Sequence, residues 1–296
     1  CHPVKSESIM IDRRFLNSES LDKKFAYLGM IAAMVLFVAS IEYLQNITYL
    51  VISVVAAIAC AIWLFLRKHK MIQIRSIDTD GLQYRRAGKL LAIMFFAIQT
   101  IAIIILYLRP EQYQRPLVFF MVLVIMAIVI VFQITIASDR EKYIKLFQIL
   151  LVGINIAWPQ GLFFSQVTGV DPWAHQNITN YIIESGSIMP DQSYSLLPLF
   201  HILSATGSLI TDMNYKFAVM STVGLGHMIL NIAFIFLLGR FLTKNNRVGL
   251  LASLFVVTLS FTIQMSTNLI PNSLGSVYIP IVLYLLFKAN KVKMTK

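Results

Sequence analysis

Apolar residues run along this chain in long uninterrupted blocks, not in the alternation of a strand or the one-sided stripe of a soluble helix. The runs from Phe25 to Ile41, Ile47 to Leu66, Leu90 to Leu108 and Leu117 to Ala137 are each near the ~20 residues that carry a helix across the hydrocarbon of a bilayer. Tyr143 to about Phe163 makes a fifth such run, which Trp158-Pro159 should bend or end, because proline removes one ladder donor and crowds the preceding turn. Phe217 to Gly239, Val248 to Ile270 and Asn272 to Phe287 follow. Residues 1–24 precede all of these as a polar tail of mixed charge, too poor in apolar surface to fold alone. The pattern predicts an all-α, polytopic membrane helix bundle of about eight transmembrane helices.

Leu196 to Ile210 is the ambiguous run, short and carrying Pro198, His201, Ser204, Thr206, Gly207 and Ser208. Basic residues gather on the cytoplasmic side of spans, and 22 of the 25 lie on one side only if this run does not cross. The expectation is therefore a cytoplasmic N-terminus and a second surface helix at Leu196 to Ile210. It follows that roughly 50 residues, Phe164 to Lys216, lie together on the outer face with Asp171, His175, Glu184, Asp191, His201 and Asp212 among them. The other outer links, Glu42 to Asn46 and Arg109 to Pro116, read as tight turns.

Within the outer segment, Asp171-Pro172 reads as the N-cap and first position of a helix that runs to about Ser185 and is ended by Gly186. At about 100° per residue, Ala174, Ile178, Tyr181, Ile182 and Ser185 share one face, and Gln176, Asn177, Asn180 and Glu184 share the other. Asp171 and His175, four apart, stand at the edge of the apolar face and should aim at whatever the helix packs on.

Composition narrows the class. With 57% hydrophobic and 13% charged residues the chain lies outside the soluble globular range, and its net charge of +11 reports topology, not nucleic-acid binding. Cys1 and Cys60 make no disulfide framework. Asn46-Ile47-Thr48 and Asn177-Ile178-Thr179 match a glycosylation sequon that arises easily by chance.

The order Asp171-Pro172-Trp173-Ala174-His175, then Ile182 to Gly186, then Tyr194 with Leu197-Pro198-Leu199-Phe200-His201, resembles the first outer loop of the GT-C superfamily of membrane glycosyltransferases. The run is most similar to prokaryotic enzymes related to the catalytic subunit of oligosaccharyltransferases, and the likeness covers roughly Lys145 to Lys296. The resemblance implies three parts: the tail, a four-helix transmembrane module at residues 25–145, and the N-terminal portion of a GT-C-like core at residues 146–296, with its catalytic loop at residues 164–216. It implies inverting transfer of a sugar from a polyprenyl-phosphate-linked donor to a glycan or protein acceptor on the outer face of the cell membrane, without nucleic acid. Asp171 would be the catalytic base or the ligand of a divalent cation, Mg2+ or Mn2+, with His175 beside it and Tyr194, His201 and Lys216 binding substrate. Two departures stand out: the next outer turn, Asn268 to Ser273, has no carboxylate where that family has an acidic motif, and no Trp-Trp-Asp signature occurs.

The residues alone leave other readings open. Asp171 could be a helix cap only, His175 an interfacial histidine and Lys216 a plain interfacial anchor. His227 and Asn231, four apart near the middle of their span beside Gly224 and Gly226, fit either helix packing or the midplane site of a multi-pass transporter.

Overall fold

A computed structural model describes residues 18–44, 47–68, 82–136, 141–190 and 193–294. Most of the polar tail, much of the basic loop after Arg67, and Asp191 lie outside the described residues. Among the described residues every regular element is a helix, and all eight expected runs are helical over most of their length.

The chain forms two compact units, Cys1–Ser76 and Ile77–Lys296. In the first, α1 (Ser18–Ala39) widens into a π turn at Ser40–Leu44 and packs on α2 (Ile47–Lys68). Gly29 lets the two helices approach, since a Cβ there would lie 3.0 Å from Cys60 Sγ. The buried hydroxyls of Ser40 and Ser53 return to Leu36 and Leu50 carbonyls in their own helices, which is how an apolar surrounding accommodates serine.

The second unit holds α3 (Leu82–Tyr107), α4 (Leu117–Ile136), α5 (Lys142–Leu162), α6 (Val170–Ser185), α7 (Leu199–Thr211), α8 (Tyr215–Val219), α9 (Leu225–Thr243), α10 (Asn246–Thr258), α11 (Ser260–Thr267) and α12 (Pro271–Met294). Phe95, Phe119, Met126, Ile130, Ile149, Phe236 and Leu250 join α3, α4, α5, α9 and α10 in one apolar cluster. Some of the polar atoms that this interior encloses are paired across helices, while both amide atoms of the buried Gln148 have no hydrogen-bond partner. Gln99 and Asn155 exchange amide bonds of 3.3 and 2.6 Å between α3 and α5, and Ser253 donates to the Ile232 carbonyl at 2.9 Å, joining α10 to α9. Meanwhile Val118, Phe120, Met121, Val124, Ile125, Ile128 and Phe132 of α4 face outward while Gln133 is buried, the distribution expected where the solvent is lipid.

By length and composition, Arg86–Tyr107, Leu117–Ile136, Tyr215–Thr243 and Pro271–Ala289 can cross a membrane. Val248 to Ile270, expected as one straight span, is instead α10 and α11 bent by 62°. The break falls at Leu259, whose ψ of 135° is extended, and whose N–H closes a tight turn on the Val256 carbonyl at 3.2 Å. No glycine or proline marks it, so the apolar pattern gave no warning. α7, with 13 residues, is too short to span, as its length and polarity suggested. Its small and polar residues His201, Ser204, Ala205, Gly207 and Ser208 face the protein, and Leu199, Ile202, Leu203, Leu209 and Ile210 face out.

Candidate functional site

α6 begins earlier than its sequence predicted. Gly169 takes φ 96°, a conformation nearly closed to residues with a Cβ, and it starts the helix at Val170. Asp171 is therefore not the N-cap. It stands in the first turn, makes no capping bond, and is exposed. The C-terminal end agrees with expectation: Gly186 is left-handed, φ 67°, and its N–H bonds the Ile182 carbonyl.

The buried face of α6 is also rotated from the expected one. Pro172, His175 and Thr179 are buried, whereas Ala174 and Ser185 are exposed. The cause is the partner. His175 Nδ1 lies 3.1 Å from His201 Nε2 on α7, and Thr179 satisfies its hydroxyl on the His175 carbonyl at 2.9 Å, so these polar atoms turn inward with partners.

Four rings close around this contact. Tyr194 sits edge-on to His175 and His201, with centroids 4.8 and 5.4 Å away, and Phe200 lies edge-on to both imidazoles at 5.7 and 5.2 Å. Burial pushes the His175 imidazole below its ordinary range, and the Asp171 carboxylate opposes that shift. Burial, reinforced by His175, pushes His201 down to about 4. At neutral pH the pair is thus uncharged, with one ring donating and the other accepting. The outer His201 nitrogen, Nδ1, is buried without a partner.

Beside the imidazoles, an open cleft of about 280 Å3 is lined by Thr168, Gly169, Val170, Asp171, Pro172, Asn268 and Ile270. Its far wall comes from the link between α11 and α12. Leu269 there takes φ 52°, unusual for a residue with a side chain. Its carbonyl accepts from Tyr215 Oη at 3.3 Å, and it belongs to one buried apolar cluster with Val167, Phe200, Tyr215, Val219, Met220 and Val223. Burial thus holds a strained residue so that its neighbours face Asp171. Sequence reasoning treated this link only as lacking a carboxylate and missed it as part of the cleft. Phe200 was quoted in the motif without a role, although its place beside His201 was the available signal.

Lys216 does not line the cleft. It is buried, and its Nζ donates to the Phe164 carbonyl, tying the start of the segment to the start of α8. Nearby, Tyr113 stacks on Phe164 at 5.2 Å, Arg109 lies 4.1 Å over the Phe163 ring, and Arg115 donates to the Ile156 carbonyl at 2.7 Å. Glu184 and Asp212 are exposed and do not join Asp171. In mid-span, Asn231 donates to the His227 carbonyl of its own helix at 2.9 Å, and the two side chains do not pair.

Fold and surface define an all-helical membrane protein. No family model, curated protein or solved structure matches the chain.

Proposed function

We propose that the chain is a membrane glycosyltransferase that moves a sugar from a polyprenyl-phosphate-linked donor to a glycan or protein acceptor, with its N-terminus in the cytoplasm and its cleft on the outer face of the cell membrane. The observation that carries this reading is the cleft itself: an exposed carboxylate, Asp171, at the N-terminal turn of a surface helix, facing Asn268 and Ile270 from a much later link. In the proposed reaction, the Asp171 carboxylate takes the proton of the acceptor nucleophile as that nucleophile bonds to the anomeric carbon. The bond to the polyprenyl phosphate breaks on the opposite face, which inverts the centre, and the phosphate leaves as an anion.

The neutral His175–His201 pair, with Tyr194 against it, would bind and orient sugar or acceptor hydroxyls beside Asp171. Lys216 is read as a strut, since its ammonium is turned to the Phe164 carbonyl. For a divalent cation, the cleft offers one carboxylate and the Asn268 amide, and among the described residues no three His, Cys, Asp or Glu side chains converge. A divalent cation there would need oxygens from the donor phosphate and water beside Asp171, so the proposed step runs through the Asp171 carboxylate and added cation is an arm of the assay.

The test is transfer from a polyprenyl-linked sugar by the full chain, wild type against Asp171→Asn, matched for folded amount, with and without added Mg2+ or Mn2+. Loss of a base should slow turnover by at least about a hundredfold, near 3 kcal/mol at 1.36 kcal/mol per tenfold. Equal turnover of the two proteins would remove Asp171 from the chemistry.

A further inference from the structure

We propose that α7 is sunk in the membrane leaflet on the side of the Asp171 cleft, with lipid acyl chains as the partner of its outward face. This placement is independent of the reaction proposed for the cleft.

α7 is amphipathic in the sense opposite to that of a helix bathed in water. It carries no Asp, Glu, Lys or Arg over Leu199–Thr211. Its buried side holds His201, Ser204, Gly207 and Ser208, with the Ser204 hydroxyl donating to the Phe200 carbonyl at 2.7 Å. Its outward side is Leu199, Ile202, Leu203, Leu209 and Ile210, interrupted only by Thr206, and Ile210 is 78% exposed. A surface helix in water turns its apolar stripe to the protein, and this one turns it away. Leaving such a face wet forgoes about 25 cal/mol for each Å2 that hydrocarbon would cover. The exposed apolar surface extends beyond the helix as well, through Leu196 and Leu197 before it and Met213 and Phe217 after it.

Its depth follows from its packing on a helix that crosses. Tyr215–Thr243 has 29 residues, about 43 Å at 1.5 Å per residue, against a hydrocarbon layer ~30 Å thick. Centred in that layer, it projects about 6 Å beyond each edge. Gly207, in the middle of α7, approaches it so closely that a Cβ there would lie 2.8 Å from Thr222 Cγ2 and 3.6 Å from Ala218 Cβ. Thr222 lies about 10 Å along the axis from Tyr215, so the contact falls about 4 Å inside the hydrocarbon edge. Interfacial amphipathic helices bury their apolar face to a similar depth, ~5–10 Å into the boundary between headgroups and chains. Asp212, Met213 and Asn214 alone separate α7 from the crossing helix, and the Asn214 side chain accepts from the Phe217 N–H, so α7 is tethered at this surface. α6, in contrast, exposes Asp171, Asn177 and Glu184, and near its start it exposes Trp173, a side chain that favours the membrane boundary. The imidazole pair between the two helices is thus held at headgroup level.

The experiment places single nitroxide labels on cysteines in the full chain with Cys1→Ser and Cys60→Ala, reconstituted in phosphatidylcholine nanodiscs. Collision with oxygen, which concentrates in hydrocarbon, is compared with collision with a water-soluble nickel chelate. Leu203→Cys and Ile210→Cys probe the outward face at two independent positions, Val124→Cys on the exposed apolar side of α4 is the hydrocarbon reference, and Glu184→Cys is the aqueous one. The oxygen-to-nickel ratio at both α7 positions should be several-fold above that at Glu184→Cys and close to that at Val124→Cys, in proteins that elute as wild type does. A ratio at both α7 positions matching that at Glu184→Cys would show a wet face and overturn the proposal. Weak collision with both agents would show the face covered by protein, a second copy of the chain included, and would overturn it equally.

Discussion

Acidification should weaken the fold through the His175–His201 contact. The folded His201 titrates near 4 against an ordinary value of 6.5, so the unfolded chain takes up the proton first. Stability contributed by the neutral ring is complete above about pH 6.5, falls as pH drops toward about 4, and is level below. At about pH 5 the unfolded histidine is almost fully protonated and the folded one about a tenth so, a difference of about 2 kcal/mol before screening. Solvent reaching the exposed Tyr194 side of the cluster reduces this to about 1 kcal/mol. His175 shifts in the same direction and adds to the effect, while Asp171 opposes it by favouring the imidazolium. Tyr194 and Phe200, the remaining ring neighbours, bring no charge in this range. The assay is denaturant unfolding in detergent, followed by tryptophan fluorescence in a background where Trp63 and Trp158 are replaced by Phe so that Trp173 on α6 reports, at about pH 8 and about pH 5, with and without His201→Gln. The background protein should lose about 1 kcal/mol more than its His201→Gln variant on acidification. Equal losses would mean that the pair is not held neutral by burial, and would refute the reasoning.

Four other outcomes are expected. Asp171→Asn should cost only about 0.3–1 kcal/mol of stability, the helix-dipole contribution, because the side chain caps nothing; thermal unfolding checks it. Gly249→Ala should destabilise by at least about 1–3 kcal/mol, because its Cβ would lie 2.6 Å from the Phe236 carbonyl oxygen where α9 and α10 meet; denaturant midpoints would report it. Gln99→Leu alone should cost about 1–3 kcal/mol by stranding Asn155 Oδ1, although Asn155 Nδ2 keeps the Leu151 carbonyl, whereas Gln99→Leu with Asn155→Leu should cost less, and a double-mutant cycle measures the coupling. Cysteines at Ser185 and Met213, both exposed, should label together from one side of the membrane with an impermeant reagent, since α7 does not cross; labelling of one alone contradicts that topology.

Hydrocarbon length and charge made the helices legible. The apolar runs located α3, α4, α9 and α12, and the basic residues separated the short α7 from the spans. Patterning failed where polar atoms found partners, because periodicity assumes that polar residues face water. His175 and Thr179 turn inward on bonds that the sequence does not display. The Asp171 residue itself stood out, but its role as a cap did not survive, because Gly169 accepts a backbone angle that moves the helix start. The bend at Leu259 carries no glycine or proline to announce it, and at Leu269 the nearby Pro271 marks the start of α12 but not the left-handed turn before it.

The two walls of the Asp171 cleft have a consequence for how the protein is made. Asp171 and Asn268 are 97 positions apart, and nothing between them supplies the second wall. A ribosome adding about 5–20 residues per second leaves roughly 3–13 s between His201 and Asn268 in which the imidazole pair can assemble while the carboxylate faces an unfinished groove. The second wall needs the link that carries Leu269, whose left-handed turn belongs to the same buried cluster as Tyr215 and Phe200. A nascent chain halted before Asn268 would thus lack one wall of the cleft, so the site cannot be complete until the α11–α12 link has been made.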